Sequence, residues 1–213
     1  MIFPDTKIEQ KLWKEGYKVV VGLDEAGRGP LAGPVVASAV VISNLNQVVP
    51  TVRDSKKMTE KQRNEAYEKI KEISHSYGVG IVGSREIDAI GIQKAVQKAM
   101  KIAVEVVEAK LNIKADYIIA DGLNILKIPN YKMKKFKQGD LYHYSISAAS
   151  VLAKVTRDSI MKKYHKKYTV YGFDKHMGYG TKMHMDAIKK YGICDIHRRS
   201  FKPIKDAIQL SKL

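Results

Sequence analysis

Two adjacent carboxylates, Asp24 and Glu25, follow a run of β-branched apolar residues in this 213-residue sequence. Such a run is typical of a buried strand, and burying a carboxylate is costly unless it is paired or bound to a metal. Gly27, Arg28 and Gly29 come next. Glycine lets the backbone approach a ligand closely, and consecutive N–H groups can form an anion site. An acidic pair beside a loop suited to phosphate predicts metal-assisted chemistry on a phosphodiester.

Two more carboxylates stand where they could join this pair. Asp121 follows an apolar run and precedes a glycine, at the kind of strand end where sites form in α/β sheets. The alternative is an aspartate that opens a turn, because Asp-Gly is a common turn pair. Asp158 lies in a predicted helix on the same face as Lys154, and an i,i+4 salt bridge is its alternative. With Asp24 and Glu25, the set could hold two Mg²⁺ ions about 4 Å apart.

The shared use of Asp24 and Glu25 has a geometric condition. Adjacent residues of a regular strand point to opposite faces. The two side chains can therefore bind one metal site only if the strand twists or ends between them.

The charge of the chain favours a polyanionic partner. Lys and Arg number 38 against 22 Asp and Glu, a formal net charge of +16. A segment rich in glycine, aromatic and basic residues surrounds Tyr179, whose ring could stand close to a sugar or base. His184 and Arg198 add donors for phosphate. The alternatives are a turn with a packed tyrosine and a solvated charged face.

The composition predicts a cytoplasmic monomer. Hydrophobic residues make up 45% of the chain, enough for a core. One cysteine, Cys194, excludes an internal disulfide and fits a reducing compartment. The first ten residues lack the apolar segment of a signal peptide, and the longest apolar stretch, 30–42, is too short to span a membrane.

The hydrophobic pattern predicts alternating strands and helices. The predicted strands are 17–23, 35–42, 77–82, 116–120 and 132–137. The predicted helices are 7–15, 61–73, 92–111, 147–167, 181–191 and 203–213, with 84–90 as a loop or a turn of helix. Thr59 and Gln62 predict a capping box before the second helix. The short connection after the first strand predicts an antiparallel hairpin. These elements indicate an α/β domain over residues 1–167 and a C-terminal helical extension over 168–213 that contributes to substrate binding.

Successive blocks of the chain resemble the motifs of the ribonuclease HII family, the type 2 ribonucleases H. The blocks follow the family's order and cover most of the chain. They are Asp24-Glu25-Ala26-Gly27-Arg28-Gly29-Pro30-Leu31-Ala32-Gly33-Pro34-Val35, Asp54-Ser55-Lys56-Lys57, Ala120-Asp121-Gly122, the run from Ser145 to Asp158, Tyr171-Gly172-Phe173, Gly178-Tyr179-Gly180-Thr181 and His197-Arg198-Arg199-Ser200-Phe201.

The resemblance implies a ribonuclease H-like fold, with a five-stranded mixed sheet flanked by helices. It implies that four catalytic carboxylates bind two Mg²⁺ or Mn²⁺ ions, namely Asp24, Glu25, Asp121 and Asp158. It also implies that the Gly-Arg-Gly loop and Tyr179 recognise the ribose 2′-hydroxyl and its flank. The expected substrate contacts are Gly27, Arg28, Gly29, Lys56, Ser147, Lys154, Tyr179, His184 and Arg198.

The sequence departs from the family pattern in two places. Met177 stands where a lysine is expected, which would weaken one phosphate contact. The tail from Ile208 to Leu213 lacks paired aromatics, so no peptide for a sliding clamp is expected.

The function implied is an endoribonuclease that acts on the RNA strand of RNA–DNA hybrids and cuts 5′ of ribonucleotides embedded in duplex DNA. The products would carry 5′-phosphate and 3′-hydroxyl ends. One alternative is another two-metal nuclease, such as a junction resolvase or a transposase-like enzyme. The other is a basic protein that binds structured RNA without catalysis. Carboxylates in its groove would only weaken such a binder.

Overall fold

The computed structural model of the chain describes residues 3–210. Its strands are β1 (Val20–Ala26), β2 (Val35–Val41), β3 (Ser76–Val82), β4 (Tyr117–Asp121) and β5 (Met133–Phe136). Its α-helices are α1 (Lys7–Lys14), α2 (Glu60–Ile73), α3 (Ser84–Ile90), α4 (Ile92–Leu111), α5 (Gly139–Tyr142), α6 (Tyr144–Lys167), α7 (Phe173–His176), α8 (Lys182–Tyr191) and α9 (Lys202–Leu210).

The strands form one mixed sheet in the order β3-β2-β1-β4-β5. The first three pair antiparallel, which confirms the predicted hairpin, and β4 and β5 run parallel to β1. β1 stays paired with β2 as far as Ala26, but its pairing with β4 ends at Leu23 and Ala120. The sheet therefore opens between β1 and β4 beside residue 24.

Helix α4 covers one face of the sheet and carries the predicted apolar stripe. Val96, Ala99 and Ala103 are buried against the strands. Two glycines of β3 let this helix come unusually close. A Cβ at Gly80 would lie 1.9 Å from the Ala99 carbonyl oxygen, and one at Gly78 would meet the Ala103 carbonyl at 2.0 Å. The bounds of α4 match the prediction, as does the Thr59–Gln62 capping box of α2.

Helix α6 covers the other face and starts at Tyr144, one turn earlier than predicted. The buried carboxylate of Glu9 in α1 accepts hydrogen bonds from the Ser145 N–H at 2.9 Å and from the Ser145 hydroxyl at 2.7 Å. It satisfies an amide in the first turn of α6 that no local side chain reaches. Residues 84–90 form a full helix rather than a loop.

The elements after α6 enclose a separate apolar cluster that includes Leu31 and Ala32 from the β1–β2 connection. The division of the chain between residues 167 and 168 remains a prediction. Within the described residues α9 ends at Leu210, so the last part of the predicted helix 203–213 and of the tail lies outside them. None of the helices described is long and apolar enough to cross a membrane.

Candidate active site

A cavity of about 320 Å³ opens where β1 and β4 separate. It lies at the carboxyl ends of these parallel strands, where sites form in α/β sheets. The lining residues are Asp24, Glu25, Ala26, Gly27, Arg28, Gly29, Ser55, Lys56, Asp121, Ser150, Lys154, Arg157 and Tyr179. Three of the four predicted carboxylates and most of the predicted substrate contacts therefore share one cavity.

Asp24 and Glu25 both reach the cavity although they are neighbours within β1. Beyond Leu23 the strand has no partner on its β4 side, so both side chains border the open edge. Asp24 is 5% exposed, and its Oδ1 accepts a hydrogen bond from the Glu25 N–H at 2.8 Å. Glu25 Oε1 lies 3.2 Å from Arg28 Nη1, while its Oε2 is buried without a hydrogen-bond partner.

Asp121 ends β4, and its Oδ1 accepts a hydrogen bond of 2.6 Å from the Gly139 N–H. That contact brings in Asp140, a carboxylate that the sequence interpretation missed. Asp140 is 5% exposed, and its Oδ2 lies 3.2 Å from Lys56 Nζ. The sequence contains a signal for Asp140, because it follows shortly after the predicted strand 132–137. A carboxylate after a strand parallel to β4 belongs at the same sheet edge.

The carboxyl groups repel one another. Burial raises the pKa of Asp24 well above its ordinary value, and the charges of Glu25, Asp121 and Asp140 raise it further. Burial also raises the pKa of Glu25, partly offset by the guanidinium of Arg28. For Asp121, burial and Asp140 raise the pKa against the hydrogen bond from the Gly139 N–H. Burial therefore outweighs the nearby cations, and the pKa of all three carboxyl groups lies above its ordinary value.

These residues fit a hard divalent cation. Their ligating atoms are carboxylate oxygens, and Glu25 Oε2 is an acceptor with no donor among residues 3–210. Among residues 3–210, no three His, Cys, Asp or Glu side chains form a complete cage for a metal ion. Such a cage is not required, because Mg²⁺ is usually held by one or two carboxylates together with waters and substrate phosphates.

Asp158 is placed differently from the other predicted carboxylates. It does not line the cavity, and its Oδ1 pairs with Lys154 Nζ at 2.9 Å. This is the i,i+4 salt bridge that the sequence allowed as the alternative. Lys154 itself borders the cavity, so Asp158 orients a cation toward the carboxylate group.

The Gly-Arg-Gly loop and Tyr179 form a second part of the cavity lining. Tyr179 is 47% exposed, and a Cβ at Gly29 would lie 3.6 Å from Tyr179 Cε1. Gly27 has a φ of +100°, which glycine adopts readily and other residues rarely do. A Cβ at Gly27 would lie 2.2 Å from Arg157 Nε, so no larger residue fits.

Three predicted substrate contacts lie in the interior instead. Ser147, His184 and Arg198 are fully buried, and none lines the cavity. His184 Nδ1 donates a hydrogen bond to the Tyr179 carbonyl at 2.9 Å, and His184 Nε2 shares a hydrogen bond with His197 Nε2 at 3.0 Å. Burial lowers the pKa of His184 and of His197 to about 4, so neither offers a positive charge to phosphate at neutral pH. Direct contact with substrate is therefore corrected to a supporting position for all three.

Met177 departs from the family pattern but has a clear place in the fold. It ends α7 in the left-handed region with a φ of +50°. Its carbonyl accepts a hydrogen bond of 3.0 Å from Arg157 Nη1. This backbone contact does not depend on the side chain at position 177.

Comparison with known proteins places the chain among the ribonucleases HII. A sequence model of the family described as Ribonuclease HII matches residues 21–204. The chain is 48% identical to Ribonuclease HII of Caldanaerobacter subterraneus subsp. tengcongensis, over 91% of this chain and 78% of that protein. It is 47% identical to Ribonuclease HII of Caldicellulosiruptor bescii, over 92% of each chain.

A solved structure shares the same fold. The crystal structure of ribonuclease H2 from Pyrococcus horikoshii OT3 superposes with a TM-score of 0.76 at 27% sequence identity. The alignment covers 91% of this chain and 98% of that one. The predicted ribonuclease H-like fold is confirmed.

Proposed function

The chain belongs to the ribonuclease HII family and is a ribonuclease H, and we propose that it cleaves the RNA strand of RNA–DNA hybrids and cuts 5′ of single ribonucleotides in duplex DNA. The observation that carries this proposal is the cavity itself. Its lining combines an acidic group, Asp24, Glu25 and Asp121, with a second group, the Gly-Arg-Gly loop and Tyr179. The first suits hydrolysis of a phosphodiester, and the second suits recognition of a sugar.

Asp24, Glu25 and Asp121 would hold Mg²⁺ or Mn²⁺, and Asp140 is the fourth member of the group. Neither Asp140 nor Asp158 lines the cavity, but Asp140 acts electrostatically on both Asp24 and Asp121, whereas Asp158 pairs with Lys154. Two bound ions would supply an activated water and stabilise the attacking and leaving oxygens of an in-line displacement. The products of that displacement would carry 5′-phosphate and 3′-hydroxyl ends.

The chain's own side chains would bind and orient the substrate. Lys56 and Lys154 border the cavity and place ammonium groups beside the carboxylates, where they can contact phosphate oxygens. Backbone groups of the Gly-Arg-Gly loop would hydrogen-bond the ribose 2′-hydroxyl, which is the one chemical difference between RNA and DNA at that position. The ring of Tyr179 would press against the next sugar from the other side.

Cleavage of a labelled DNA duplex that carries one ribonucleotide tests this proposal. With Mg²⁺ we expect one cut on the 5′ side of the ribonucleotide, and no cut in an all-DNA duplex of the same sequence. Chelation of the metal should stop the reaction. A chain that binds both duplexes and cuts neither would contradict the proposal.

Replacement of Tyr179 tests how the site reads the junction between ribose and deoxyribose. Tyr179→Ala should lower kcat/KM more on the single-ribonucleotide duplex than on a continuous hybrid, because the next sugar of a hybrid already carries a hydroxyl. Tyr191→Ala, which removes an exposed tyrosine of α8, serves as the control. An equal loss on both substrates would assign Tyr179 to general positioning.

The remaining expectations are proposals of the same kind. The enzyme would act in the cytoplasm as a monomer, on nucleic acid and without a membrane. No sliding-clamp peptide is proposed, since the sequence from Ile208 to Leu213 has no aromatic pair.

A further inference from the structure

The guanidinium of Arg198 is enclosed by backbone carbonyls of the β1–β2 connection. It is fully buried and donates four hydrogen bonds, all to main-chain oxygens. Nη2 contacts the carbonyls of Gly27 at 2.6 Å and Pro34 at 3.1 Å. Nη1 contacts Arg28 at 2.9 Å, and Nε contacts Gly33 at 3.0 Å. The guanidinium therefore fixes both ends of the connection.

This arrangement requires arginine in particular. The hydrogen bonds use Nε and both terminal nitrogens in a planar fork, whereas a lysine ammonium is a single point with three donors. None of these hydrogen bonds goes to a carboxylate. The carbonyl dipoles stabilise the charge of Arg198, together with the Phe201 ring at 5.0 Å and the charge of Asp88. Burial and the nearby Arg157 lower the pKa of Arg198 to about 9, yet the group stays protonated at neutral pH.

The bonds to Gly27 and Arg28 also set the direction of the next two amides. In a trans peptide the C=O and the following N–H point in opposite directions. Because the carbonyls of residues 27 and 28 point inward to Arg198, the N–H groups of Arg28 and Gly29 point away from it. Neither amide donates a hydrogen bond within the described part of the chain, and both residues line the cavity.

We propose that Arg198 is the positioning residue that turns the Arg28 and Gly29 amides into the cavity, where they read the ribose 2′-hydroxyl. The inference rests on the proposed function, since it assigns a framework to the same recognition loop. It replaces the expectation that Arg198 contacts phosphate. The exposed part of the loop and its buried support thus come from opposite ends of the sequence.

Arg198→Lys tests the inference, with Arg85→Lys, an exposed arginine of α3, as the matched control. We expect Arg198→Lys to lower kcat/KM on the single-ribonucleotide duplex by about 100-fold, the loss typical of a misplacement near 1 Å. Its dissociation constant for an all-DNA duplex, measured in Ca²⁺, should stay within about twofold. Arg85→Lys should match the wild type in both. The inference would be overturned if folded Arg198→Lys had the same kcat/KM as the wild type. It would also be overturned if binding of the all-DNA duplex weakened by the same factor as kcat/KM on the single-ribonucleotide duplex.

A measurement on the wild-type protein covers the case in which Arg198→Lys does not fold. In Ca²⁺, the amide resonances of Arg28 and Gly29 should shift with the single-ribonucleotide duplex and not with the all-DNA duplex. Identical shifts with both duplexes would contradict the role of these amides. Failure of the proposed function is distinguishable, because the wild-type protein would then leave the single-ribonucleotide duplex uncut in Mg²⁺.

Discussion

Two groups of ionisable side chains adjoin the β1–β2 connection and are stabilised in contrasting ways. The acidic group at the cavity, Asp24, Glu25 and Asp121 with Asp140 close by, brings like charges together and leaves Glu25 Oε2 without a donor among the described residues. The arginine–histidine cluster, formed by Arg157, Arg198, His184 and His197, lies in the interior. There, carbonyl oxygens and neighbouring rings satisfy every side chain.

This contrast distinguishes the acidic group, which can bind a ligand, from the arginine–histidine cluster, which supports the site. Like charges gathered at a cavity destabilise the free protein and become useful only when a cation or substrate binds. Charge that is fully satisfied by backbone groups has no capacity left for a ligand, but it fixes the shape of a loop. The following changes disturb one group and not the other.

Asp24→Asn should have the largest effect on catalysis. Loss of a group that only orients a metal ligand typically costs 10–100-fold, so loss of a proposed ligand should lower kcat by more than about 100-fold. Binding of the duplex should be retained or tighter, because one negative charge facing phosphate is removed. Single-turnover cleavage and a binding titration on the same duplex measure the two effects. Undiminished turnover would contradict the assignment.

The same variant should be more stable than the wild type, with a defined pH dependence. The pKa of Asp24 is raised in the folded state, so the folded protein holds its proton more strongly and loses stability as pH rises through the raised pKa. Asparagine resembles the neutral acid. The melting temperature of Asp24→Asn should exceed that of the wild type at pH 7, and the difference should shrink as the pH falls. A difference that grows with acidity would exclude like-charge repulsion as its cause.

Substitution of Asp140 and of Asp158 distinguishes a carboxylate that acts on the acidic group from one that pairs only with Lys154. Asp140→Asn should lower kcat/KM by about 10–100-fold, because Asp140 acts on Asp24 and Asp121 inside the group. Asp158→Asn removes only the salt bridge to Lys154 and should cost less than about tenfold. Steady-state kinetics on the single-ribonucleotide duplex distinguish them. The reverse order of the two losses would restore Asp158 to the metal site.

Local patterns in the sequence predicted the sheet and most of the helices. The apolar stripe of α4 and the Thr59–Gln62 capping box depend on neighbours a few residues away, and both are confirmed. The early start of α6 depends on Glu9, more than a hundred residues distant, and no local signal records it. The first strand extends to Ala26 because β2 continues to pair with it.

The roles of site residues could be predicted where residue type and position along a strand were sufficient. They were predicted wrongly where the role depends on whether the side chain is buried. Asp24, Glu25 and Asp121 could be found because carboxylates at strand ends share a sheet edge. Arg198 and His184 were interpreted as phosphate donors because a cation or histidine looks the same in a sequence whether it faces solvent or the core. Only the long-range contacts with residues 27–34 and with His197 show their supporting roles.

Gly27→Ala should break the support without changing any charge. The residue has a φ of +100°, and a Cβ would lie 2.2 Å from Arg157 Nε. Positive φ strain and overpacking each cost about 1–3 kcal/mol, so the free energy of unfolding should fall by roughly 2–6 kcal/mol. Urea denaturation measures this, with Gly83→Ala, where a Cβ meets nothing within 4 Å, as the control. Equal stability of the two variants would mean that the loop adapts freely.

Acidification should lower the contribution of the arginine–histidine cluster to the free energy of unfolding. Its effect through Asp24 has the opposite sign, because protonation of Asp24 favours the folded state. Burial lowers the pKa of His184 and of His197 to about 4. Between that value and the ordinary value near 6.5 the unfolded chain binds more protons, so stability is lost as the pH falls through this window. For one ring, a pKa lowered from 6.5 to about 4 corresponds to a loss of roughly 3 kcal/mol at pH 4 and about 2 kcal/mol at pH 5. Urea midpoints at pH 7 and pH 5 test it.

The control for the pH measurement is His75→Asn, which removes an exposed histidine. Its pH dependence should follow that of the wild type. His184→Asn should flatten the dependence over the same range. A wild-type protein whose stability does not change over this range would show that the buried rings take up protons as readily as those of the unfolded chain.

Stabilisation of the protein by Mn²⁺ measures directly whether the carboxylates at the cavity bind a cation, because no substrate is involved. At an Mn²⁺ concentration 100 times the dissociation constant, the free energy of unfolding of the wild type should rise by about 2.7 kcal/mol. We expect Asp24→Asn to lose this gain and Asp158→Asn to keep it. Equal stabilisation of all three proteins by Mn²⁺ would show that the cation does not bind at Asp24.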